Sequence, residues 1–305
     1  MWGILLLIGF LHQALSVSQD VVYTTGKLSP QDYEFLRGLP TPRASSSGYK
    51  YKYVSSDGAI HTSKPSSRHS VQVAATLRTS EKGHYEAALI CSYMVRHMPS
   101  TVFERLATRS KGIGIFAHGE GLSAYPEMAN TKDSAACRGR CDGSCKVTCT
   151  FDGRKWDTVA GSGGSRALVL EDNVLCLSSD PYRHKYNVLI HEFGHNIKFY
   201  GAESAYRSKL TAAFANAKNH HIYGPSYALS NEDEYFAEGT SGWFNVNHQN
   251  YDGGLTECNH RYCKDEIESR LNIKQHTPDL FEILNHIYNN GNMNLRSGLK
   301  ICQSF

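Results

Sequence analysis

The sequence predicts an α+β fold, and three features carry that expectation. Helix-like and strand-like hydrophobic patterns mix along the 305 residues without a regular strand–helix alternation. The segment His191-Glu192-Phe193-Gly194-His195 lies inside an apolar stripe of helical period. A run of regularly spaced cysteines over residues 137–149 breaks the pattern as a loop would.

Trp2 to Leu11 is apolar and too short to span a bilayer, and small residues follow at Ala14, Ser16 and Ser18. Residues 1–18 therefore read as a secretory signal, and the remainder as a secreted, extracellular protein. Residues 19–75 differ in composition from the rest of the chain. Thr41 to Ser70 is rich in Ser, Gly, Tyr and basic residues with few aliphatics, which predicts an N-terminal extension or pro-segment, partly disordered. No cysteine precedes Cys91, so such a segment has no thiolate with which to silence a metal. Residues 76–305 are long enough for one domain with its own core.

Within that domain, Glu81 to His97 has Tyr85, Ala88, Leu89 and Tyr93 on one helical face and ends before Met98-Pro99. Gly112 to His118 suits a strand. Cys137, Cys141, Cys145 and Cys149 recur every four residues, but Arg138-Gly139-Arg140 and Asp142-Gly143-Ser144 between them favour a stapled loop. Disulfides suit an oxidising compartment, and a four-cysteine zinc site is the alternative. Cys258 and Cys263 could close a small loop. Nine cysteines leave one unmatched, and Cys91, within a helical pattern, is the candidate free thiol.

Further on, a glycine-rich turn at Gly161-Ser162-Gly163-Gly164 precedes a strand at Ala167-Leu168-Val169-Leu170. Helices are expected over Ala202 to His220, over Asn231 to Phe244 with Ser230 as N-cap, and from Thr277-Pro278 to about Tyr288. Gly239-Thr240-Ser241-Gly242 predicts that the second of these ends early, after Glu238. A net charge of +3 gives no argument for nucleic acid or for anionic membranes, and no later apolar stretch is long enough to span a bilayer.

The chemistry concentrates at His191-Glu192-Phe193-Gly194-His195. Residues four apart on a helix share a face, so both imidazoles can reach one metal ion, and the intervening Glu192 can take a proton from a water. Val188-Leu189-Ile190, Ile197 and Phe199 continue the apolar stripe, and Gly201 is placed to end the helix. Zinc suits such nitrogen ligands and needs a third from elsewhere. A metzincin would carry Gly and His at the positions of Lys198 and Gly201, so that class is excluded. The acidic run Asn231-Glu232-Asp233-Glu234-Tyr235-Phe236-Ala237-Glu238 offers the third ligand. Glu234 and Glu238 share a helix face, so one can bind metal while the other orients a ligand histidine, unless the run merely complements a helix dipole.

Over about Asn187 to Phe244, this pairing of motifs resembles the catalytic domain of anthrax lethal factor and its relatives, which include secreted bacterial Pro-Pro endopeptidases. The resemblance implies a zincin-like, gluzincin-type metallopeptidase domain with a small mixed sheet, an active-site helix and one Zn2+. It implies His191, His195 and Glu234 as metal ligands and Glu192 as general base, which leaves Glu238, by its spacing, as the residue behind a ligand histidine. It also implies that Tyr227, seven residues before the ligand glutamate, lends its hydroxyl to the reaction, with Tyr223 as the fallback. Trp156 to Cys176 would hold the edge strand that pairs with substrate, near Ala167 to Leu170, the other reading of that run being an ordinary core strand. The expected activity is zinc-dependent hydrolysis of peptide bonds, with a peptide or protein as substrate. The alternative is a non-catalytic secreted matrix, coat or toxin-associated protein that binds a partner on a metalloprotease-like fold.

Overall fold

In the computed structural model, the described residues are Tyr23, Ser29, residues 31–32, residues 48–249 and residues 254–302. The signal expected at residues 1–18 lies outside them. The chain builds a six-stranded mixed sheet of order β2-β1-β3-β4-β6-β5, where β1 is Tyr49–Ser55, β2 Ile60–His61, β3 Ser70–Thr76, β4 Ile113–Phe116, β5 Gly161–Ser162 and β6 Ala167–Leu170. Strands β3, β4 and β6 run parallel, while β1 pairs antiparallel with β2 and β3, and β5 antiparallel with β6. This is the mixed α+β architecture that the sequence predicts.

Two expectations about the sheet need correction. The boundary expected at residue 75 cuts through the sheet, because β1 and β3 pair along their full length from Tyr49↔Thr76 to Ser55↔Ser70. In sequence the segment has the character of an extension, because Tyr49-Lys50-Tyr51-Lys52-Tyr53 looks too polar for a core strand. Lys52 is nonetheless buried, with its amine paired to Glu81, and Lys50 reaches the Thr79 carbonyl. Of the two readings of Ala167–Leu170, strand β6 takes the core one and is not an edge. It lies between β4 and β5, so the last strand on that side is the buried Gly161–Ser162 pair that the sequence presents as a turn.

Helix α1 (Glu81–Val95) is N-capped by Ser80, whose side chain accepts from Gly83 N–H, and α2 (Ser100–Arg109) follows it. Helix α3 (Val188–Asn196) carries the histidine pair and runs on into a π-turn at Ile197–Gly201. Then come α4 (Ser204–Asn219), α5 (Glu232–Trp243), α6 (Glu266–His276) and α7 (Pro278–Asn289). Helices α2 and α6 have no counterpart in the expectations. Helix α5 is capped by Asn231, not Ser230: the Asn231 side chain accepts from Asp233 N–H at 2.9 Å and from Glu234 N–H at 3.0 Å. It also runs through Gly239–Gly242 instead of ending early. A Cβ at Gly239 would stand 3.2 Å from Leu280, and one at Gly242 2.9 Å from Leu255, so close packing against α7 and the following loop overrides weak helix propensity.

Disulfides join Cys137–Cys145, Cys141–Cys149, Cys176–Cys302 and Cys258–Cys263, while Cys91 is free and buried in α1. The two interleaved pairs over residues 137–149 rule out a four-cysteine zinc site. Among the described residues, no helix is long and apolar enough to cross a membrane.

Candidate metal centre

The centre forms where α3 and α5 cross beneath β5. The first turn of α3 is pinned from two sides: Asn187 accepts from Ile190 N–H at 3.3 Å, and Val188 N–H donates to Asn173 Oδ1 at 2.9 Å. Gly194 lets α5 approach, since a Cβ there would sit 3.0 Å from Thr240 Oγ1. Lys198, buried just past the histidines, pairs with Asp233 and, at 2.7 Å, with Glu232, tying the two helices together.

His191 and His195 lie on one face of α3 with ring centroids 4.9 Å apart and their Nε2 atoms 3.2 Å apart. Glu234 reaches across from α5, with Oε2 3.0 Å from His191 Nε2 and Oε1 3.7 Å from His195 Nε2. Tetrahedral ligands each about 2.0–2.1 Å from zinc stand about 3.3 Å from one another, so these three donors fit that ion. All three side chains are buried, with fractional exposures of 0–2%.

Glu192 stands further off, its Oε2 4.0 Å from His195 Nε2. It accepts a hydrogen bond from the Gly163 backbone N–H, while Oε2 has no hydrogen-bond partner among the described residues. Burial pushes its carboxyl up to about 8, aided by the charges of Glu234 and Glu238 and opposed by His191. Burial alone would depress the His191 imidazole, but Glu234, Glu238 and Glu192 outweigh it and raise the ring to about 10. His195 is driven down by burial, with the charge of His191 adding to the effect. Three buried carboxylates around one imidazole make a strongly anionic pocket, which a divalent cation would neutralise.

Glu238 takes the position behind His191. Its Oε1 lies 3.3 Å from His191 Nδ1, Tyr186 OH donates to the same oxygen at 3.2 Å, and Asn247 Nδ2 donates to Oε2 at 2.8 Å. Sequence reasoning missed Tyr186, Asn247, Lys198 and the Gly163 N–H. None belongs to a motif: Tyr186, Asn247 and the Gly163 N–H come from other segments, and Lys198 lies just past the histidines on the same helical run.

Tyr227 opens a short 3-10 turn at Tyr227–Leu229, ahead of α5, and its side chain hydrogen-bonds to Glu234. Burial, then the charges of Glu234, Glu192 and Glu238, push its phenol well above the usual range. The structure therefore brings Tyr227 to the cluster. Tyr223 does not join it, because its buried hydroxyl is 2.5 Å from Thr277 Oγ1.

The glycine-rich turn forms the roof. A Cβ at Gly161 would meet Val188 at 2.3 Å, and one at Gly163 would meet His195 Cβ at 2.9 Å, so only glycine lets β5 lie this close to α3.

The chain is similar to the Pro-Pro endopeptidase PPEP-2 from Paenibacillus alvei, with 18% identity and a TM-score of 0.41, over 70% of this chain and 95% of that one. No family model matches the chain. No curated protein matches it either.

Proposed function

We propose that this protein is a secreted zinc endopeptidase of the zincin type, in which His191, His195 and Glu234 hold the metal. The observation that carries this reading is the convergence of those three buried donors at ligand spacing, with the carboxylate of Glu192 beside them. A zinc ion bound there would supply Lewis acidity to a water and to the scissile carbonyl.

The chain's own groups account for the rest. Glu192 accepts the proton of the attacking water and passes it to the leaving amine, the charge of a cation bound beside it favouring its ionised form. The Gly163 N–H fixes that carboxylate's orientation. Tyr227, whose phenol stays protonated at neutral pH, donates to the oxyanion as the carbonyl becomes tetrahedral. The four disulfides favour an oxidising, extracellular setting. A non-catalytic binding role leaves the buried base unexplained.

The test is cleavage of a mixed peptide library by zinc-loaded protein beside Glu192→Gln. Cleavage should vanish both in the variant and with a chelator, while the variant still binds one zinc. Turnover that survives Glu192→Gln would overturn the assignment of the base. An inactive zinc-loaded wild type would favour the binding role.

A further inference from the structure

The general base of the proposed peptidase is held by a backbone group that lies just outside the sheet ladder. Pairing of β5 with β6 ends at Ser162, and β6 begins at Ala167. Gly163-Gly164-Ser165 therefore leaves the ladder where the Gly163 N–H donates to Glu192. This turn runs along α3. Gly161 abuts Val188 and Glu192, and Gly163 abuts His195. Gly164 has a φ of 135°, which an L side chain rarely adopts, and two adjacent glycines give the turn little stiffness of its own.

We propose that Asn196 is a positioning residue that clamps this turn onto α3 and so holds the Gly163 N–H against Glu192, an inference that rests on the peptidase reading. Asn196 lies four residues after Glu192, on the same face of α3. Its Nδ2 donates to the Gly164 carbonyl at 3.0 Å and reaches the Ser165 carbonyl at 3.3 Å and Ser110 Oγ at 3.2 Å. The roof is thus fastened to one helix face at successive residues, through Gly163 N–H to Glu192 and through Gly164 C=O to Asn196. The clamp is also tied to the chain leading into β4. Ser110 Oγ, at the end of α2, accepts from Gly112 N–H at 2.8 Å, and Ser165 C=O accepts from Lys111 N–H at 2.9 Å.

The surroundings of Asn196 argue for a task other than stability. The residue is fully buried, yet its Oδ1 has no hydrogen-bond partner among the described residues. A buried acceptor left unpaired costs free energy. Turning the amide over would set Oδ1 against the Gly164 and Ser165 carbonyl oxygens, so the donor explains the side chain. Nor does Asn196 cap a helix, because α3 runs through it into the π-turn and its side chain makes no cap bond. With the turn clamped, Gly163 engages one Glu192 oxygen and leaves Oε2, which has no hydrogen-bond partner among the described residues, for the attacking water. With the turn released, the N–H would drift along α3 and the carboxylate would lose its fixed direction.

The experiment compares the zinc-loaded full-length protein with Asn196→Leu, a variant of similar size that has neither the donor nor the unpaired acceptor. The readouts are kcat and KM on a peptide that the wild type cleaves, zinc affinity by chelator competition, and amide hydrogen exchange over residues 161–166. The variant's kcat should fall by about 10–100-fold, with KM and zinc affinity within about twofold of wild type. Its Gly163 and Gly164 amides should exchange about tenfold faster or more, while the amides of His191 to His195 stay protected. Asn196→Ala should reproduce both effects, and it carries the test where the leucine variant does not fold. Wild-type kcat or unchanged exchange in the folded variant overturns the proposal. A kcat that falls in step with zinc affinity also overturns it, because Asn196 would then act through His195 and not through the roof. A zinc-loaded wild type that cleaves nothing removes the peptidase reading instead, and the exchange measurement then judges the clamp by itself.

Discussion

Glu238 shows how far single residues decide this centre. It touches His191 and is itself held by two donors, Tyr186 OH at 3.2 Å and Asn247 Nδ2 at 2.8 Å. Partners of that kind fix the tautomer and angle of a ligand histidine. Asn247→Ala and Tyr186→Phe should each lower zinc affinity by about 10–100-fold, measured by competition with a chromogenic chelator, with the fold intact by circular dichroism. Unchanged affinity in both would mean that Glu238 needs no such support. A second residue bears on stability. Glu86 in α1 is 1% exposed, and neither carboxylate oxygen has a hydrogen-bond partner among the described residues. Burial raises its carboxyl to about 7 from an ordinary 4.5, with Lys82 opposing. Between those values the folded chain holds a proton that the unfolded chain has released. This contribution therefore favours folding at the acid end and is lost as pH rises through 7. Glu86→Gln should flatten that part of the stability–pH curve, by of order 2 kcal/mol in denaturant unfolding between pH 5 and about 8. An identical slope in the variant would remove Glu86 as its source.

Elements set the geometry that residues exploit. The edge strand β5 owes its position over α3 to glycine, since a methyl at Gly163 would stand 2.9 Å from His195 Cβ and Cδ2 alike. Those atoms belong to a buried ring with no room to retreat. Gly163→Ala should therefore push the strand off the helix and carry its N–H away from Glu192. The expected cost is about 1–3 kcal/mol of stability and, on the proposed function, most of the peptidase activity without loss of zinc binding. Activity and melting temperature within error of wild type would show that the strand gives way freely. The crossing of α3 and α5 follows the same logic, with Gly194 admitting Thr240 and Lys198 bridging to Asp233 and Glu232.

The whole molecule is closed by its longest link. Cys176–Cys302 spans 126 residues and ties the chain's end to the segment just before α3, whereas Cys258–Cys263 spans five. Loop-closure entropy grows with the logarithm of loop length. The double change Cys176→Ser, Cys302→Ser should cost about 4–5 kcal/mol of unfolding free energy, against about 2 for Cys258→Ser, Cys263→Ser. Denaturant titration of the two variants tests the order, and an equal loss would show that native contacts, not chain entropy, set the value.

The local parts of this protein are legible in its amino-acid order. His191, Glu192 and His195 can be read because one helical turn places them together, whatever surrounds them. Glu234 and Glu238 can be read because they share one face behind a polar cap, although the capping side chain is Asn231 and not its neighbour Ser230. The odd cysteine count implies a free thiol such as Cys91 beside eight paired ones, but not their connectivity. The remainder depends on how distant segments pack. Packing turns a polar, tyrosine-rich segment into a strand of the sheet by burying Lys52 against Glu81. It makes a glycine turn the sheet edge and carries α5 through two glycines that would ordinarily break a helix. It brings Tyr186, Asn247 and the Gly163 N–H to the candidate metal centre from segments with no motif of their own. Neighbours on one turn are fixed by helical period, whereas contacts across the fold depend on which surfaces meet, and no local pattern encodes that.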